Sequence, residues 1–559
     1  MRKINIILVL ISAVILICSF AFIKFRTENA EASELNSYDA LIRVGISSND
    51  FSSLEYKEIS FKGGLTVVDK SLNSVIATTN SSDVIKFTVK EGNFTLYVNN
   101  SPVPVNISSP VGIKSNSNIP IEITGLKRAG KQAAFRGEFE LVKHPSKPDK
   151  FYVVNILSLE DYLKGVVPNE LPVSFGLEAL KAQAIAARNY AIKPRLKAYS
   201  QFDVCDSVEC QVYFGYNTEK ELSGKAVDET KNLIALYNGD IILALYSSTA
   251  GGYTESYENA FSDPSNMTFP ANPLPYLTGK PDNQGTPPLN NEEDARNFYM
   301  NSYPAYDINS SYYRWSKTWT REELEQTLSK TLVKWAHTQF VTPILPIGSD
   351  IGTIKNIEVL LRGVSGKAMV VKISTDKGEW FVKKELFIRR IFQNEGKMLP
   401  SANVVFDLNF DPEGNLIKIT ATGGGLGHGV GMSQYGAGFM SKNGSSFADI
   451  IQHYYDKTAI GTPPVSLKQD SQPVKQLFFS PNGKGEIVIK NQNNASSVKI
   501  LLNSKEIQIP SSYFTKDILR LDTDSYIYRG VNEIIYYTPM GGKGIKAWVE
   551  VYRAKDESK

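Results

Sequence analysis

The segment that most restricts how this chain folds is Glu178-Ala179-Leu180-Lys181-Ala182-Gln183-Ala184-Ile185-Ala186-Ala187-Arg188-Asn189-Tyr190, five of its thirteen residues alanine. Alanine has the highest helix propensity and lets neighbouring backbones approach closely. Ser174 can cap such a helix. Pro194 stops it, because proline removes a helical N–H and clashes with the preceding turn. The expectation is a central, tightly packed helix from Ser174 to about Lys193. Just before it, Val153-Val154-Asn155-Ile156-Leu157 reads as a strand. Ser158-Leu159-Glu160-Asp161 fits a capping box opening a helix over about Leu159–Val166. Pro168 and Pro172 then bracket a turn that holds Asn169 and Glu170.

The rest of the chain is strand-rich. Short apolar runs such as Leu41–Ile46 and Val84–Val89 alternate with Gly, Asn, Ser and Pro, the pattern of strands between turns. Further strands are expected at Leu233–Leu236, Ile241–Tyr246, Ile354–Leu361, Ala368–Ile373 and Asn403–Leu408, with helices at Arg321–Ala336 and Ser445–Tyr455. The tail from Gln476 to Arg553 reads as all-β. The 559 residues suit roughly three to four domains. The reading is an α+β chain divided as follows: a membrane anchor or signal segment (1–26), a tether (27–39), a β-rich N-terminal region (40–141), a mixed catalytic region around the alanine-rich helix (142–462), a linker (463–474) and a sandwich-like C-terminal β domain (475–559).

Arg2 and Lys3 precede an uncharged apolar run from Ile4 to Ile23. About 20 residues suffice to cross a bilayer, whereas a signal-peptide core is shorter, roughly 7–15 residues. The run therefore reads as an uncleaved anchor with the bulk of the chain on the extracytoplasmic side. The alternative is secretion after cleavage near Ala32, at Ala30-Glu31-Ala32. That compartment makes ATP- or NAD-dependent chemistry a poor fit. Lys+Arg 61 against Asp+Glu 58 leaves a net charge of +3. That balance gives no electrostatic case for nucleic acid.

Four segments could carry chemistry. Glu170 is a lone carboxyl in the apolar segment Gly165-Val166-Val167-Pro168-Asn169-Glu170-Leu171-Pro172. Desolvation there would raise its pKa and suit it to general-acid work, the alternative being an ordinary solvated loop glutamate. Gly423-Gly424-Gly425-Leu426-Gly427-His428-Gly429-Val430-Gly431-Met432-Ser433-Gln434-Tyr435-Gly436-Ala437 has no Lys or Arg, so it is no phosphate-binding loop. It reads as a packed turn that also walls a sugar-binding cleft with His428, Gln434 and Tyr435. Ser247-Ser248-Thr249-Ala250-Gly251-Gly252 lacks the G-x-S-x-G elbow of a nucleophilic serine. It reads as a polar strand end at a cleft. Cys205 and Cys210 could ligate zinc, form a local disulfide, or stay reduced.

Taken in order, these segments resemble the stage II sporulation protein D (SpoIID)/LytB amidase-enhancer family. The residues are Leu159–Val167 with Asn169-Glu170-Leu171-Pro172, the helix Glu178–Arg188, Gln211-Val212-Tyr213-Phe214-Gly215, Ser248–Gly252, Gly427–Ala437 and His453-Tyr454-Tyr455. The resemblance runs from about Leu41 to Ile460. It implies a peptidoglycan lytic transglycosylase that cleaves MurNAc–GlcNAc bonds of peptide-stripped glycan to 1,6-anhydro ends. Glu170 would be the acid and then the base. Gln183, Arg188, Ser248, Thr249, Gly251, Gly252, His428, Ser433, Gln434 and Tyr435 would bind substrate. No cofactor is required, with zinc as an optional ligand of Cys205 and Cys210. Zinc-binding members supply a nearby His; here Asp203, Asp206 and Glu209 stand instead. Gly423-Gly424-Gly425 also lacks the Arg that often precedes the His loop. The family's other name implies a second reading, a non-catalytic wall-binding scaffold that stimulates an N-acetylmuramoyl-L-alanine amidase. A plain muramidase is a third.

Overall fold

The computed structural model describes residues 40–555 apart from 106, 194–198, 283–285, 287, 469–471, 492–494, 511, 513, 515, 538 and 540–543. The apolar run Ile4–Ile23 and the helix stop at Pro194 therefore lie outside the described residues. Among those described, no helix is long and apolar enough to cross a membrane. Helices and strands are mixed throughout, an α+β fold with β-rich regions. The chain divides into two compact units, one of Leu41–Gly461 with the C-terminal residues from Glu550, the other of Thr462–Val549.

In the larger unit, strand Leu41–Gly45 lies antiparallel to Phe151–Ser158 and parallel to Val204–Cys205. Strand Phe151–Ser158 runs directly into helix α1, Leu159–Glu170. Ser158 caps it, its side chain accepting from the Asp161 N–H. The helix is longer than the sequence suggested, because Pro168 sits inside it rather than ending it. A proline there removes the N–H that would bond the carbonyl four residues back. The next carbonyl, Gly165 O, is taken up by Asn169 Nδ2 at 2.7 Å and by the Phe214 N–H at 3.3 Å. Glu170 is thus the last helical residue, not a loop residue between two prolines.

Helix α2, Leu177–Ile192, is the alanine-rich one. Its start is Gly176, at φ 99°, rather than Ser174, which sits in the short 3-10 turn Val173–Phe175. It is buried on nearly every side, with Ala179, Ala182, Ala184, Ala186 and Ala187 at 0% exposure. Helices α1, Glu221–Asp228, Gln434–Lys442 and Phe447–Tyr454 pack around it. A helix apolar all round belongs in the middle of a core, and its small side chains admit that many neighbours.

The segment between Ser262 and Gly423 builds its own core. Helix Arg321–Trp335, opened by a Thr320/Glu323 capping box, covers two small antiparallel sheets. Leu324, Leu328 and Leu332 of this helix meet Ile354, Val371, Ile373, Val404 and Ile419 there. The expected strand Ile241–Tyr246 is not continuous. Only Asp240–Ile241 and Tyr246–Ser247 pair, the latter parallel to Met432–Ser433. Glu550 and Tyr552 of the last strand pair with Gly461 and Ile460.

The smaller unit is all-β. Strand Val474–Ser480 pairs with Gly530–Tyr536, and Glu486–Asn491 with Ile518–Asp522. Val465–Leu467, expected as linker, forms a strand against Ile545–Ala547. Its Val465 and Leu467 side chains are buried, which the proline-rich composition around them concealed.

Candidate active site around Glu170

Glu170 ends helix α1, half-buried, with its carboxyl turned toward the strand-like segment after the two cysteines. The Val212 N–H donates to Glu170 Oε1 at 2.6 Å. Burial pushes Glu170 up to about 7, while the Val212 N–H and the Gln434 side chain pull the other way. Desolvation wins because one backbone N–H and one amide do not replace the water a carboxylate loses. The Tyr162 and Tyr246 hydroxyls lie within electrostatic reach of this carboxyl, and burial followed by its charge holds both well above the ordinary phenol range.

Helix Gln434–Lys442 (α3) brings the second side of the site. Gln434 Nε2 donates to the Glu170 backbone carbonyl at 3.0 Å and to Gln183 Oε1 at 3.3 Å. One side chain thereby ties the end of α1 to the middle of α2. Gln183 is fully buried, and its Nε2 has no hydrogen-bond partner among the described residues. A buried amide donor left unmatched is costly. Tyr435, half-buried, stacks edge-on against Phe175 at 4.9 Å between ring centres.

Other expected substrate contacts are placed elsewhere. Arg188 is 0% exposed. Its guanidinium grips Glu160 at 2.9 and 2.7 Å and donates to the Leu233 carbonyl at 2.8 Å. It fastens α2 to the start of α1, and no N–H of that fork turns to a cleft. Thr249 is buried, bridged to Leu426 through both backbone groups and to Ser310 Oγ at 2.8 Å. Ser433 is buried and caps α3, its Oγ accepting from the Gly436 and Ala250 N–H groups and donating to Asp307. Ser248 keeps partial exposure, and its carbonyl accepts from the Tyr435 N–H at 3.0 Å.

The glycine-rich stretch packs against this strand end rather than facing outward. Gly251 has φ 83°, and a Cβ there would lie 2.8 Å from the Gly424 carbonyl carbon and the Gly425 nitrogen. Only glycine allows that backbone crossing. The Gly252 carbonyl accepts from the Asp282 N–H at 3.0 Å. His428 Nδ1 accepts from the Val430 N–H at 3.0 Å, so its proton is on Nε2. Burial, with Lys367 and Arg389 near, lowers His428 to about 4 against the Glu385 charge and a hydrogen bond to the Tyr246 backbone. It is a neutral imidazole that shapes the loop.

Asp307 is a buried carboxyl beneath two of the motif loops that no sequence signal marked. It accepts from the Gly251 N–H at 2.8 Å and from Ser433 Oγ at 3.2 Å, joining two motif loops from underneath. Burial, and then the neighbouring Asp282 carboxylate, push it up to about 7. Gln211 was legible, since it opens the Gln211–Gly215 motif. It accepts from Tyr162 and donates to Tyr246.

Cys205 and Cys210 are joined as a disulfide, with Cα atoms 5.5 Å apart. Asp206 between them is buried against Arg128 at 2.7 Å and Ser47. The pair therefore offers no thiolate, and among the described residues no group of three or more His, Cys, Asp or Glu could hold a metal. The residues present do not fit a zinc site. The closed loop instead holds the base of the segment that carries Gln211 and Val212. Closing so short a loop is worth about 2 kcal/mol in chain entropy. We expect a Cys205→Ser/Cys210→Ser variant to lose about that much stability in denaturant titration, with zinc restoring none of it.

A family model described as "Stage II sporulation protein" matches residues 147–237, and one for a domain of unknown function (DUF8618) matches residues 263–431. The chain is 30% identical over 332 residues to the stage II sporulation protein D of Bacillus subtilis (strain 168), covering 56% of this chain and 78% of that protein. It is 30% identical over 312 residues to the amidase enhancer of the same strain, covering 53% of this chain. There it spans only 40% of the relative's length. An uncharacterized protein of Brachyspira hyodysenteriae (strain ATCC 49526 / WA1) is also 30% identical over 310 residues, 55% of this chain and 68% of its own. The first matched region holds Glu170, Gln183 and Gln211, and with the extent of these alignments this places the chain in the stage II sporulation protein D family.

Proposed function

We propose that the protein is a cell-wall glycan lyase, a lytic transglycosylase acting on peptidoglycan strands from which amidases have removed the peptides. The single observation that carries this reading is Glu170, a carboxyl pushed up to about 7 at a partly open helix end. Such a group is protonated often enough near neutral pH to donate to a glycosidic oxygen. The bond between that oxygen and the muramoyl anomeric carbon then breaks, leaving an oxocarbenium-like centre. The muramoyl 6-hydroxyl attacks it, and Glu170, now a carboxylate, takes the hydroxyl proton. The product is a 1,6-anhydro end.

One carboxylate suffices when the nucleophile belongs to the substrate, whereas a water-using glycosidase normally needs two. The neighbouring acids are engaged elsewhere: Glu160 holds Arg188, and Asp161 accepts from Ser158. That favours a lyase over a muramidase. The amidase-enhancer name of one relative supports the second reading, a scaffold that stimulates an amidase. A desolvated carboxyl with a single backbone donor is a cost that a pure scaffold does not need, and this favours catalysis. The apolar run Ile4–Ile23 suits an anchor that keeps the enzyme at the membrane facing the wall.

The test is mass analysis of products from amidase-stripped glycan strands. The expected result is anhydro-ended fragments. Reducing ends would identify a muramidase instead. Binding without fragments, together with stimulation of an amidase, would select the scaffold.

A further inference from the structure

The hydrogen-bond chain beneath Glu170 has a direction that the atoms themselves determine. Gln211 is buried, at 1% exposure. Its Nε2 lies 3.3 Å from the Ala187 carbonyl, an oxygen that can only accept. This sets the amide: the nitrogen faces Ala187, and the oxygen faces the other way. Gln211 Oε1 therefore accepts from the Tyr162 hydroxyl at 3.1 Å, and Nε2 donates to the Tyr246 hydroxyl at 3.0 Å. An amide nitrogen only donates and a hydroxyl has one proton. Tyr162 gives its proton to Gln211, while Tyr246 receives one from Gln211 and keeps its own.

The two tyrosines also differ in access. Tyr162 is fully buried, whereas Tyr246 retains partial exposure. Tyr246 is held in place from its backbone, paired with Met432 in the parallel strand. The residue after Gln211 is Val212, whose N–H rests on Glu170 Oε1. The Tyr246 hydroxyl thus belongs to the same neighbourhood as the acid, within its electrostatic reach. The groups that hydrogen-bond Glu170 are Val212 and Gln434, and neither tyrosine is among them. The carboxyl therefore does not take the Tyr246 proton, which stays available to another acceptor.

We propose that the Tyr246 hydroxyl is a second substrate-contacting group, donating to a saccharide oxygen alongside Glu170. This rests on the reading of the site as one that holds glycan. Sugars are rich in acceptor oxygens, and a preoriented donor is worth most where water is excluded. The Gln211 amide makes the donor preoriented, because the hydroxyl cannot turn its proton inward without facing another proton.

The test uses the full chain and amidase-stripped glycan strands, with Tyr246→Phe made in the parent and in a Glu170→Gln background. In the parent we expect kcat to fall about 10- to 100-fold with the pH dependence unmoved. In the Glu170→Gln background we expect glycan affinity to fall roughly 3- to 10-fold. Rate and affinity both within twofold of their parents would overturn the proposal. So would a loss of rate that comes with a shifted pH dependence, since Tyr246 would then act through Glu170. If the parent binds glycan but cleaves none, the lyase reading fails, and the affinity measurement alone decides this inference. A parent that binds no glycan overturns both. Should Tyr246→Phe fail to fold, Gln211→Glu replaces it. A carboxylate there accepts the Tyr246 proton and withdraws it from the cleft, and the same loss is expected. Unchanged activity in that variant would overturn the proposal.

Discussion

Glu170→Gln is expected to lower the rate of anhydro-end formation by about 10²- to 10⁴-fold, the range a positioned general acid/base supplies. The amide keeps the shape and the Val212 contact at Oε1 but has no proton of suitable acidity to give. Glycan binding should persist, because the Gln183 and Gln434 amides are untouched. The parent enzyme should also lose activity as pH rises through about 7, where Glu170 ionises. The loss should approach about tenfold per pH unit above it, read as kcat/KM against pH. Stability follows the same group. In the folded chain Glu170 keeps its proton to about 7, while unfolded it releases it near 4.5. Its contribution to stability is therefore whole below about 4.5 and lost as pH rises through about 7. Glu170→Gln should flatten both dependences. Equal cleavage by variant and parent would remove Glu170 from the mechanism.

Glu160→Gln is expected to cost about 3–5 kcal/mol of unfolding free energy, the penalty for leaving a buried charge without its partner. Arg188 is 0% exposed and holds Glu160 with two of its nitrogens. Water cannot reach the guanidinium to replace the carboxylate. Replacing both together, Glu160→Leu with Arg188→Met, should recover much of the loss, since apolar groups of similar volume often substitute for a buried pair. Chemical denaturation of the two variants beside the parent checks this. The outcome also separates two roles for Arg188. A substrate contact would raise KM on Arg188→Lys with stability unchanged. The buried fork predicts the reverse, because lysine cannot match a planar two-point grip.

The neighbourhood of Glu170 was readable from local chemistry. Alanine content marked the central helix, Ser158 marked the start of α1 as its cap though the reciprocal Asp161 bond of a full capping box is absent, and the ordered motifs around Glu170 singled it out. The first two signals act within a few residues along the chain. The roles of Arg188, Thr249 and Ser433 were not readable in this way. Polar residues within a motif look alike in sequence whether they meet a ligand or another buried group. For Arg188 the partner is Glu160, 28 residues away; for Ser433 it is Asp307, 126 residues away.

Local patterning was enough to settle the α+β class, the central helix and the strand leading into α1. These depend on propensity and capping, which neighbouring residues control. Long-range packing settled the rest. Pro168 stays inside a helix, and the Gly165 carbonyl beside the break is held by Asn169 and by the distant Phe214. Asp307 reaches the Gly251 and Ser433 loops from a distant segment, and the Ala187 carbonyl orients the Gln211 amide. A hydrogen bond has a donor and an acceptor, and which side chain fills each role depends on what the fold places within about 3 Å.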